Sequence, residues 1–472
     1  MEVYLVETMN WDRLISTTRS GPPDHPAGDR TEFEDDLGRV VFSTPVRRLQ
    51  DKTHVFPLEA HDSVRTRLTH SLEVSSVARD LSQAACRRLA DLIPPKYSQS
   101  ISTIAAACAL LHDIGNPPFG HAGEKAIQDW FLRKLTEDRT LAAVFTSRDA
   151  ETGERILLPL AQDFIQFDGN AQMVRLAARL QVLSASNGLN LTYGTLSAAC
   201  KYVVSARDTE PDCHERSKPG FFETERDLVC RVQHETGTGV SRNPITYLVE
   251  AADDMVNVCI DLEDGVRKRV FRWQEMIEEL ERYGAAGEAI ALKEDALAAL
   301  GQKGLAGYGA GDVFAQAFRT SLMSRLIPAA LDEFQNSYEA IMTGDYGWEL
   351  VKQSRLGGLY VACKEVVKRH IFSSPEVLRL EIMGRKVIHD LLDLYWEGVA
   401  PEFPDEKGFS KKLYSIISDN YRNAFEQDLS KAFPTIDPAA KRLYLQLRLV
   451  CDQVAGMTDA YAVAQHRLLA NS

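Results

Sequence analysis

Several features that mark other protein classes are scarce or absent in this sequence of 472 residues. No apolar run approaches the roughly 20 residues that a membrane-spanning helix needs. The N-terminus, MEVYLVETMNWDRL, lacks the basic stretch followed by an apolar one that is typical of a secretory signal. The eight cysteines form no CxxC pair, and several lie in apolar runs, where cysteine behaves as a small hydrophobic residue. We therefore expect a cytoplasmic protein with reduced thiols and no membrane partner.

An excess of positive charge is also lacking. The formal net charge is −13, which argues against a nucleic-acid-binding surface spread over the whole protein. An anionic substrate is not excluded, because a few Arg, Lys and metal ions can form a local phosphate site. With 44% hydrophobic and 26% charged residues, the composition is that of a globular protein, and the chain is long enough for a large core.

Helical periodicity dominates the chain after its first segment, and neither internal repeats nor strong strand patterns are present. Residues 16–38 are polar and rich in Gly, Pro and charge, which indicates an extended arm. We predict an all-α fold with an N-terminal arm over 1–40, a helical core over 41–270 and a C-terminal helical region over 271–472 packed on the same domain. The β structure that the pattern allows is a short hairpin near 40–57.

The most informative predicted helix covers residues 246–263, TYLVEAADDMVNVCIDLE. Asp253, Asn257 and Asp261 recur at i, i+4 and i+8 and therefore share one side of this helix. The remaining directions are largely apolar, so the helix is expected to be buried together with its carboxylates. Buried carboxylates need cations or hydrogen-bond donors.

Residues 112–124, HDIGNPPFGHAGE, concentrate groups that bind metals or transfer protons around a proline-rich turn. His112 and Asp113 follow an apolar stretch that we predict to be a buried helix, and Gly115 indicates that the helix ends there. Adjacent helical residues point about 100° apart, so these two side chains can share a metal only near such a helix end or if the site lies between their directions.

A third candidate ligand is His70, at the end of RTRLTH. Together with His112, Asp113 and either Asp253 or Asp254, it could form a metal site, because a helical bundle can bring ligands from separate helices together. Imidazole nitrogens and carboxylate oxygens suit divalent Mn, Mg, Fe, Ni or Zn. The spacing leaves open which of the two aspartates would take part.

His121 and Glu124 form a second pair at i and i+3, where the two side chains can face each other on a helix. A carboxylate that holds an imidazole fixes its tautomer and raises its pKa, as a general acid near neutral pH requires. From the spacing alone, a helix cap with a surface Glu is an equally good alternative.

Basic side chains cluster in the segment that leads to His70, RRLQDKTHVFPLEAHDSVRTRLTH. Taken alone, such a segment is a solvated basic stretch. Next to a metal site it can supply phosphate contacts, because Arg and Lys bind phosphate oxygens. The residues concerned are Arg47, Arg48, Lys52, Arg65 and Arg67.

The motifs RTRLTHSLEV, LLHDIGNPPFGHAGE, FDGNAQMVR, KPGFFETE, NPITYLVEAADD and VAGMTDAYA occur in this order. The series resembles the bacterial deoxyguanosine triphosphate triphosphohydrolases, which are HD-domain dNTPases, over nearly the whole chain. The resemblance implies an HD domain in the 41–270 core and metal-dependent attack of water on the α-phosphorus of a dNTP. The expected substrate is dGTP, and the products are the deoxynucleoside and inorganic triphosphate. Homo-oligomers, including hexamers, and activation by nucleotides or single-stranded DNA are also implied.

The resemblance implies roles for individual residues. The metal ligands of the family fall on His70, His112, Asp113 and Asp253, which resolves the choice left open above. The catalytic histidine and its acidic partner fall on His121 and Glu124, although either proton donation to the 5′-oxygen or handling of the water proton fits. Arg67 matches a triphosphate contact, and Asp261 matches a carboxylate near the sugar 3′-hydroxyl.

Two positions depart from the family pattern. His54 in KTHVFP replaces a Gln that contacts the sugar, and Asn257 replaces a Tyr that packs under the deoxyribose. A Tyr at that place helps to exclude a 2′-hydroxyl, whereas Asn leaves room and offers hydrogen bonds. We therefore expect retained catalysis with a changed sugar or base preference. The alternatives are an HD phosphohydrolase for another nucleotide and a nucleotide- or nucleic-acid-binding regulator with little turnover.

Overall fold

Helices dominate the described part of the chain. The structure, a computed structural model, describes residues 8–22, 29–56, 58, 64–148, 155–181, 188–302, 310–400, 408–433 and 436–470. Over these residues strands are confined to two small pairs, which confirms the predicted all-α fold. None of the helices described combines the length and the apolar character needed to cross a membrane.

The first half of the chain supplies the helices around the candidate site. They are α1 (Trp11–Leu14), α2 (Glu32–Val41), α3 (Thr44–Arg48), α4 (Arg67–Arg88), α5 (Ser98–Leu111), α6 (Gly120–Glu137), α7 (Arg139–Phe145), α8 (Pro159–Ile165), α9 (Gly169–Arg175), α10 (Tyr193–Ala199), α11 (Arg226–Thr236) and α12 (Pro244–Arg267). The 3-10 turns are Leu49–Asp51, Pro95–Tyr97, Ala206–Asp208, His214–Arg216 and Glu223–Glu225, and Leu176–Leu180 is a π-helical turn. The strands are β1 (Thr146–Arg148) antiparallel to β2 (Arg155–Leu157), and β3 (Val204–Ser205) parallel to β4 (Pro219–Phe221).

In the second half, the secondary structure of the described residues consists of helices joined by short turns and loops. The helices are α13 (Trp273–Arg282), α14 (Ala286–Gln302), α15 (Ala310–Asn336), α16 (Tyr338–Thr343), α17 (Leu350–Gln353), α18 (Gly357–Val367), α19 (Pro375–Val399), α20 (Phe409–Ser415), α21 (Asp419–Lys431), α22 (Pro438–Ala455) and α23 (Asp459–Ala470). A π-helical turn, Lys368–Phe372, lies between α18 and α19.

The prediction of a hairpin near 40–57 is wrong for residues 40–56, the part that the structure describes. Ser43 is the N-cap of α3, and Pro45 lies in its first turn, where a fixed φ favours a helix start. Within residues 40–56 the β geometry is limited to one isolated bridge between Thr53 and Thr66.

The prediction of an extended arm over 16–38 is wrong for its C-terminal end, which is helical. Thr31 begins α2 with a capping box, because its side chain and that of Glu34 each accept a backbone N–H of the other residue. Arg19, in the described part of the arm, pairs with the buried Asp36 at 2.6 Å. The arm is therefore bound to α2 by a buried ion pair.

The buried hydrophobic residues that the structure describes form two clusters. The first includes Val74, Ile104, Met255, Phe318 and Val366, and the second includes Trp130, Met173, Leu391 and Val450. Each cluster combines residues from before and after position 270, so helices of the C-terminal region pack on helices of the core. The domain boundaries at 40 and 270 themselves stay predictions.

Two helices bring polar groups into this interior. Helix α5 is buried at every residue from Ile101 to Leu111, as its apolar composition predicts. Asn243 is the N-cap of helix α12, and its side chain accepts the backbone N–H of Ile245. Most residues of this helix are buried. Asp254 and Asp261 are among those buried residues, so the predicted burial is confirmed for these two carboxylates. Asp253 is instead half-buried, with 18% of its side chain accessible.

Gly115 marks a close contact between the end of α5 and the start of α9. A Cβ added there would lie 2.0 Å from the carbonyl oxygen of Gly169 and 2.3 Å from the backbone nitrogen of Met173. We predict that Gly115→Ala lowers the free energy of unfolding by about 3 kcal/mol, because main-chain atoms cannot rotate away. Chemical denaturation measures this value.

The matched control is Gly287→Ala in α14, where no atom lies within 4 Å of the added Cβ. Alanine is the better helix former, so this variant should be at least as stable as the wild type. Equal unfolding free energies for the two variants would contradict the close contact.

Candidate functional site

Three potential metal ligands converge between α4, α5 and α12. His70 lies in the first turn of α4, His112 directly follows α5, and Asp253 lies on α12. Their ligand atoms lie within 4.8 Å of one another. Nε2 of His70 is 3.1 Å, and Nε2 of His112 is 3.5 Å, from Oδ1 of Asp253. Two imidazole nitrogens and a carboxylate oxygen form a ligand set for a divalent metal.

The surroundings of the two histidines fit a metal as well. Nδ1 of His112 donates to the carbonyl oxygen of Ala109 at 2.6 Å, which directs Nε2 to the cluster. Burial, and next the neighbouring His54, lower the pKa of His70 to about 4, so its imidazole is neutral. Burial opposes protonation of His112 too, but the charges of Asp113 and Asp253 raise its pKa to about 9. The two carboxylates thus favour a positive charge at this place, and the proton on His112 supplies it.

Asp113 faces the cluster and also accepts a hydrogen bond from Arg67. Its Oδ2 lies 3.3 Å from Nε2 of His112 and 4.0 Å from Nε2 of His70. The same oxygen accepts a hydrogen bond from Nη1 of Arg67 at 2.5 Å. Burial alone would raise the pKa of Asp113, but Arg67 and then His112 hold it well below its usual range. The carboxylate is therefore charged. It lies beside both histidines but outside the cluster of three ligands, and its Oδ1 also accepts a hydrogen bond from Nδ2 of Asn116.

The second pair, His121 and Glu124, faces the same space from the first turn of α6. Nδ1 of His121 lies 2.8 Å from Oε2 of Glu124, and Oε1 of Glu124 accepts the backbone N–H of Gly169 at 2.8 Å. The His121 side chain is 83% accessible, whereas that of Glu124 is 10% accessible, so the alternative of a surface Glu is wrong. The hydrogen bond and the charge of Glu124 raise the pKa of His121.

One cavity of about 520 Å³ contains both the metal-ligand cluster and the His121–Glu124 pair. Its volume lies in the range of small-molecule sites. The cationic side chains in its wall are Arg67, Lys201, Lys218, Lys364 and Lys368. Eight acidic side chains of the described residues line the same cavity, and Lys201 and Lys218 pair with Glu250 and Asp168, so the wall is of mixed charge. Its cationic side chains can contact phosphate oxygens.

His54 and Asp261 form a third part of the cavity wall. The His54 ring stacks on that of His70, with 4.3 Å between centroids. Nε2 of His54 lies 3.3 Å from Oδ1 of Asp261, yet among the described residues neither atom has a hydrogen-bond partner. Burial lowers the pKa of His54 to about 4 and raises that of Asp261 to about 7. Unpaired buried polar atoms in a cavity wall are places where a polar ligand can bind.

Asn257, the other position that departs from the family pattern, also lines the cavity. Its Nδ2 donates to Oδ1 of Asp253 at 2.7 Å. The same Asp253 oxygen is the one that faces His70 and His112. Asn257 therefore supports a candidate metal ligand as well as leaving space beside it.

Of the basic residues expected to contact phosphate, only Arg67 lies in the cavity wall that the described residues form. Arg65 instead pairs with Glu263 and Asp264 at 2.9 and 2.6 Å. Nζ of the buried Lys52 donates to a backbone carbonyl oxygen, that of Asn116. Neither Arg65 nor Lys52 lines the cavity, so the structure gives no support to the phosphate contacts expected of these two residues.

Comparison with known proteins gives this geometry a context. The chain matches the HD domain over residues 67–164 and the Phosphohydrolase-associated domain over residues 409–468. A deoxyguanosinetriphosphate triphosphohydrolase-like protein of Listeria monocytogenes is 33% identical over 96% of this chain and 98% of its own length. A deoxyguanosinetriphosphate triphosphohydrolase of Klebsiella pneumoniae is 35% identical over 98% and 97% of the two chains.

The chain belongs to the HD-domain deoxyguanosinetriphosphate triphosphohydrolase family. The resemblance inferred from the motifs is thereby confirmed, and with it the assignment to the hydrolases. The HD match begins at residue 67 and includes His70, His112, Asp113, His121 and Glu124. Asp253 lies outside that match, on α12.

Several cavity residues were missed from the sequence. Lys218 opens the motif KPGFFETE, but nothing in its spacing indicates a contact with the site. Lys201 has no motif of its own, and its Nζ lies 3.2 Å from Oε1 of Glu250. Tyr360 donates to Oδ1 of Asp254 at 2.6 Å. That bond engages Asp254 with α18 and leaves Asp253 to the histidines.

We predict that His112→Ala lowers the affinity for Mn²⁺ roughly a hundredfold or more, because it removes one of the converging nitrogens. Isothermal titration calorimetry measures the affinity. The control is His234→Ala, an exposed histidine at the end of α11, which should bind Mn²⁺ as the wild type does. Unchanged affinity in His112→Ala would exclude this cluster as the principal metal site.

Proposed function

We propose that this protein hydrolyses dNTPs, with dGTP as the expected substrate, to the deoxynucleoside and inorganic triphosphate, and that the reaction depends on a divalent metal. One observation supports the proposal above all. A single cavity contains the His70, His112 and Asp253 ligand cluster, the His121–Glu124 pair and several cationic side chains that can contact phosphate. The relatives from Listeria and Klebsiella bear names that describe this activity.

The four candidate ligands, including Asp113, would hold Mn, Mg, Fe, Ni or Zn. A bound divalent ion would neutralise phosphate charge and lower the pKa of a bound water. Arg67, Lys201 and Lys218 would bind phosphate oxygens through charge-assisted hydrogen bonds, which orient the triphosphate without selecting a base.

We assign proton donation to His121. Glu124 holds Nδ1, which leaves Nε2 of an accessible ring available to the substrate. The raised pKa favours the imidazolium form near neutral pH, and this form can protonate the 5′-oxygen as it leaves. A general base would need the neutral imidazole, which the same raised pKa disfavours.

We predict that Glu124→Gln moves the alkaline limb of the kcat–pH profile to lower pH and lowers kcat roughly a hundredfold. Protonated His121 is the active form, so activity falls as pH rises through its pKa. Glu124 raises that pKa, and without the carboxylate it should return toward about 6.5. Glu137→Gln, an exposed position at the far end of α6, serves as control. If the alkaline limb of the Glu124→Gln profile stays at the wild-type pH, a group other than His121 causes the fall in activity.

We further propose that His54, Asn257 and Asp261 contact the sugar. The unpaired polar atoms of His54 and Asp261 offer hydrogen bonds to hydroxyls, and Asn257 leaves the space that a Tyr would fill. This arrangement supports a weaker discrimination against a 2′-hydroxyl than a strict deoxynucleotide enzyme shows.

We predict that Asn257→Tyr raises the ratio of dNTP to rNTP turnover, because the ring would occupy the space beside the 2′-position. The variant also loses the bond to Asp253, so the absolute rates should fall for both substrate classes. The ratio of kcat/KM values is therefore the measured quantity. Asn257→Ala loses the same bond without filling the space, and its ratio should not rise. An unchanged ratio in the Tyr variant would contradict the assignment.

The experiment that tests the proposed function is a product analysis over a nucleotide panel. Each dNTP and rNTP is incubated with Mn²⁺ or Mg²⁺, singly and in mixtures, and nucleoside and intact triphosphate are separated. Triphosphate release from dNTPs that is lost in His112→Ala supports the proposal. Release of diphosphate or monophosphate points to another phosphohydrolase reaction. Binding without turnover in every mixture points to a regulator.

Three expectations stay predictions, the first two from the family resemblance and the third from the composition. They are a homo-oligomer such as a hexamer, activation by nucleotides or single-stranded DNA, and a cytoplasmic location. Light scattering during size-exclusion chromatography tests the first, and the mixed-nucleotide assays test the second.

A further inference from the structure

Asp459 is a buried carboxylate of the C-terminal region that contacts two segments of the candidate site. It is the first residue of α23, and it is 2% exposed. Its Oδ2 accepts the backbone N–H of Thr53 at 3.0 Å and also the Thr53 hydroxyl. Its Oδ1 accepts the backbone N–H of Phe119 at 3.0 Å. One side chain thus joins the residue before His54 to the residue at the start of α6.

Phe119 adopts a backbone conformation that needs external support. It is the N-cap of α6 with φ 63°, in the left-handed region that non-glycine residues rarely adopt. Its ring packs on Gly384 of α19, where an added Cβ would lie 2.6 Å from a ring carbon. The C-terminal helices therefore hold this turn from two sides, by its N–H and by its ring. His121 lies two residues further along.

The carboxylate of Asp459 does not serve as the cap of its own helix. The hydroxyl of Thr458 accepts the backbone N–H of Tyr461 at 3.3 Å and takes that part. Lys52 joins the same segments again, since its Nζ donates to the carbonyl oxygen of Asn116 and lies 3.4 Å from that of Ala455. The contacts between the C-terminal region and the site segments are thus polar, buried and repeated.

We infer that Asp459 is a positioning residue for the proposed reaction, which holds the turn that presents His121 and the segment that presents His54. The inference rests on the proposed function. The proton donor must meet the leaving oxygen at hydrogen-bond distance, and a displacement of about 1 Å can cost a hundredfold in rate. The C-terminal region then contributes to catalysis as well as to the core.

The test compares Asp459→Asn with a matched control. Asparagine keeps the shape of the side chain, but one of its two ends becomes a donor that faces an N–H group, so one of the two contacts is lost. We expect kcat to fall roughly tenfold to a hundredfold, with unchanged Mn²⁺ affinity because the metal-ligand cluster is untouched. Thr53→Val removes only the hydroxyl contact and should show a smaller loss.

The control is Asp437→Ala. Asp437 caps the neighbouring helix α22 by accepting the backbone N–H of Ala440 at 2.9 Å and is exposed, so kcat should stay at the wild-type value. Hydrogen exchange provides a readout that needs no turnover. The Phe119 amide should exchange faster in Asp459→Asn than in the wild type or in Asp437→Ala.

Wild-type kcat in Asp459→Asn, or unchanged exchange at Phe119, would overturn the inference. So would a loss of activity that matches the loss of folded protein measured by thermal denaturation, since a purely structural role predicts that result. If the wild type hydrolyses no nucleotide at all, the proposed function fails. The exchange at Phe119 then decides separately whether Asp459 holds the turn.

Discussion

The candidate site depends on two carboxylates that lie, largely shielded from water, beside two imidazoles. Asp253 lies on α12, a helix whose other sides pack in the interior, and Asp113 follows the buried helix α5. Two carboxylates in such a place require compensating positive charge. The protein alone provides it through Arg67 and a protonated His112. A divalent metal would satisfy the same requirement and bring phosphate to the same point.

The candidate metal ligands and the His121–Glu124 pair lie mostly at helix ends. The packing of the helices determines where these ends lie. His112 and Asp113 share a site because α5 stops at Leu111, and a backbone contact at Gly115 sets how closely α9 approaches that end. His121 and Glu124 occupy the first turn of α6, whose start is held by the C-terminal helices. The candidate catalytic residues His121 and Glu124 thus lie in the first half of the chain, while part of their support comes from the C-terminal helices.

Residue type and periodicity were sufficient to predict the helices that bury the site. The apolar composition of α5 and the carboxylates of α12 indicated burial, and the histidines indicated what the carboxylates would face. Spacing did not separate Asp253 from Asp254, because the choice depends on Tyr360, which is distant in sequence. The lysines of the cavity wall and Asp459 were missed for the same reason, since only long-range packing brings them to the site. The hairpin near 40–57 was predicted from apolar residues whose Ser-Thr-Pro sequence instead starts a helix.

The central claim is that one cavity directs water to the α-phosphorus of a dNTP. The measurement that tests it most directly is hydrolysis of dGTP in water labelled with a heavy oxygen isotope, with the products examined by phosphorus NMR and mass spectrometry. The account predicts that the label enters the terminal phosphate of intact inorganic triphosphate and that the deoxynucleoside carries none. Label in orthophosphate or diphosphate, with a phosphorylated nucleoside left behind, would place the attack elsewhere and contradict it.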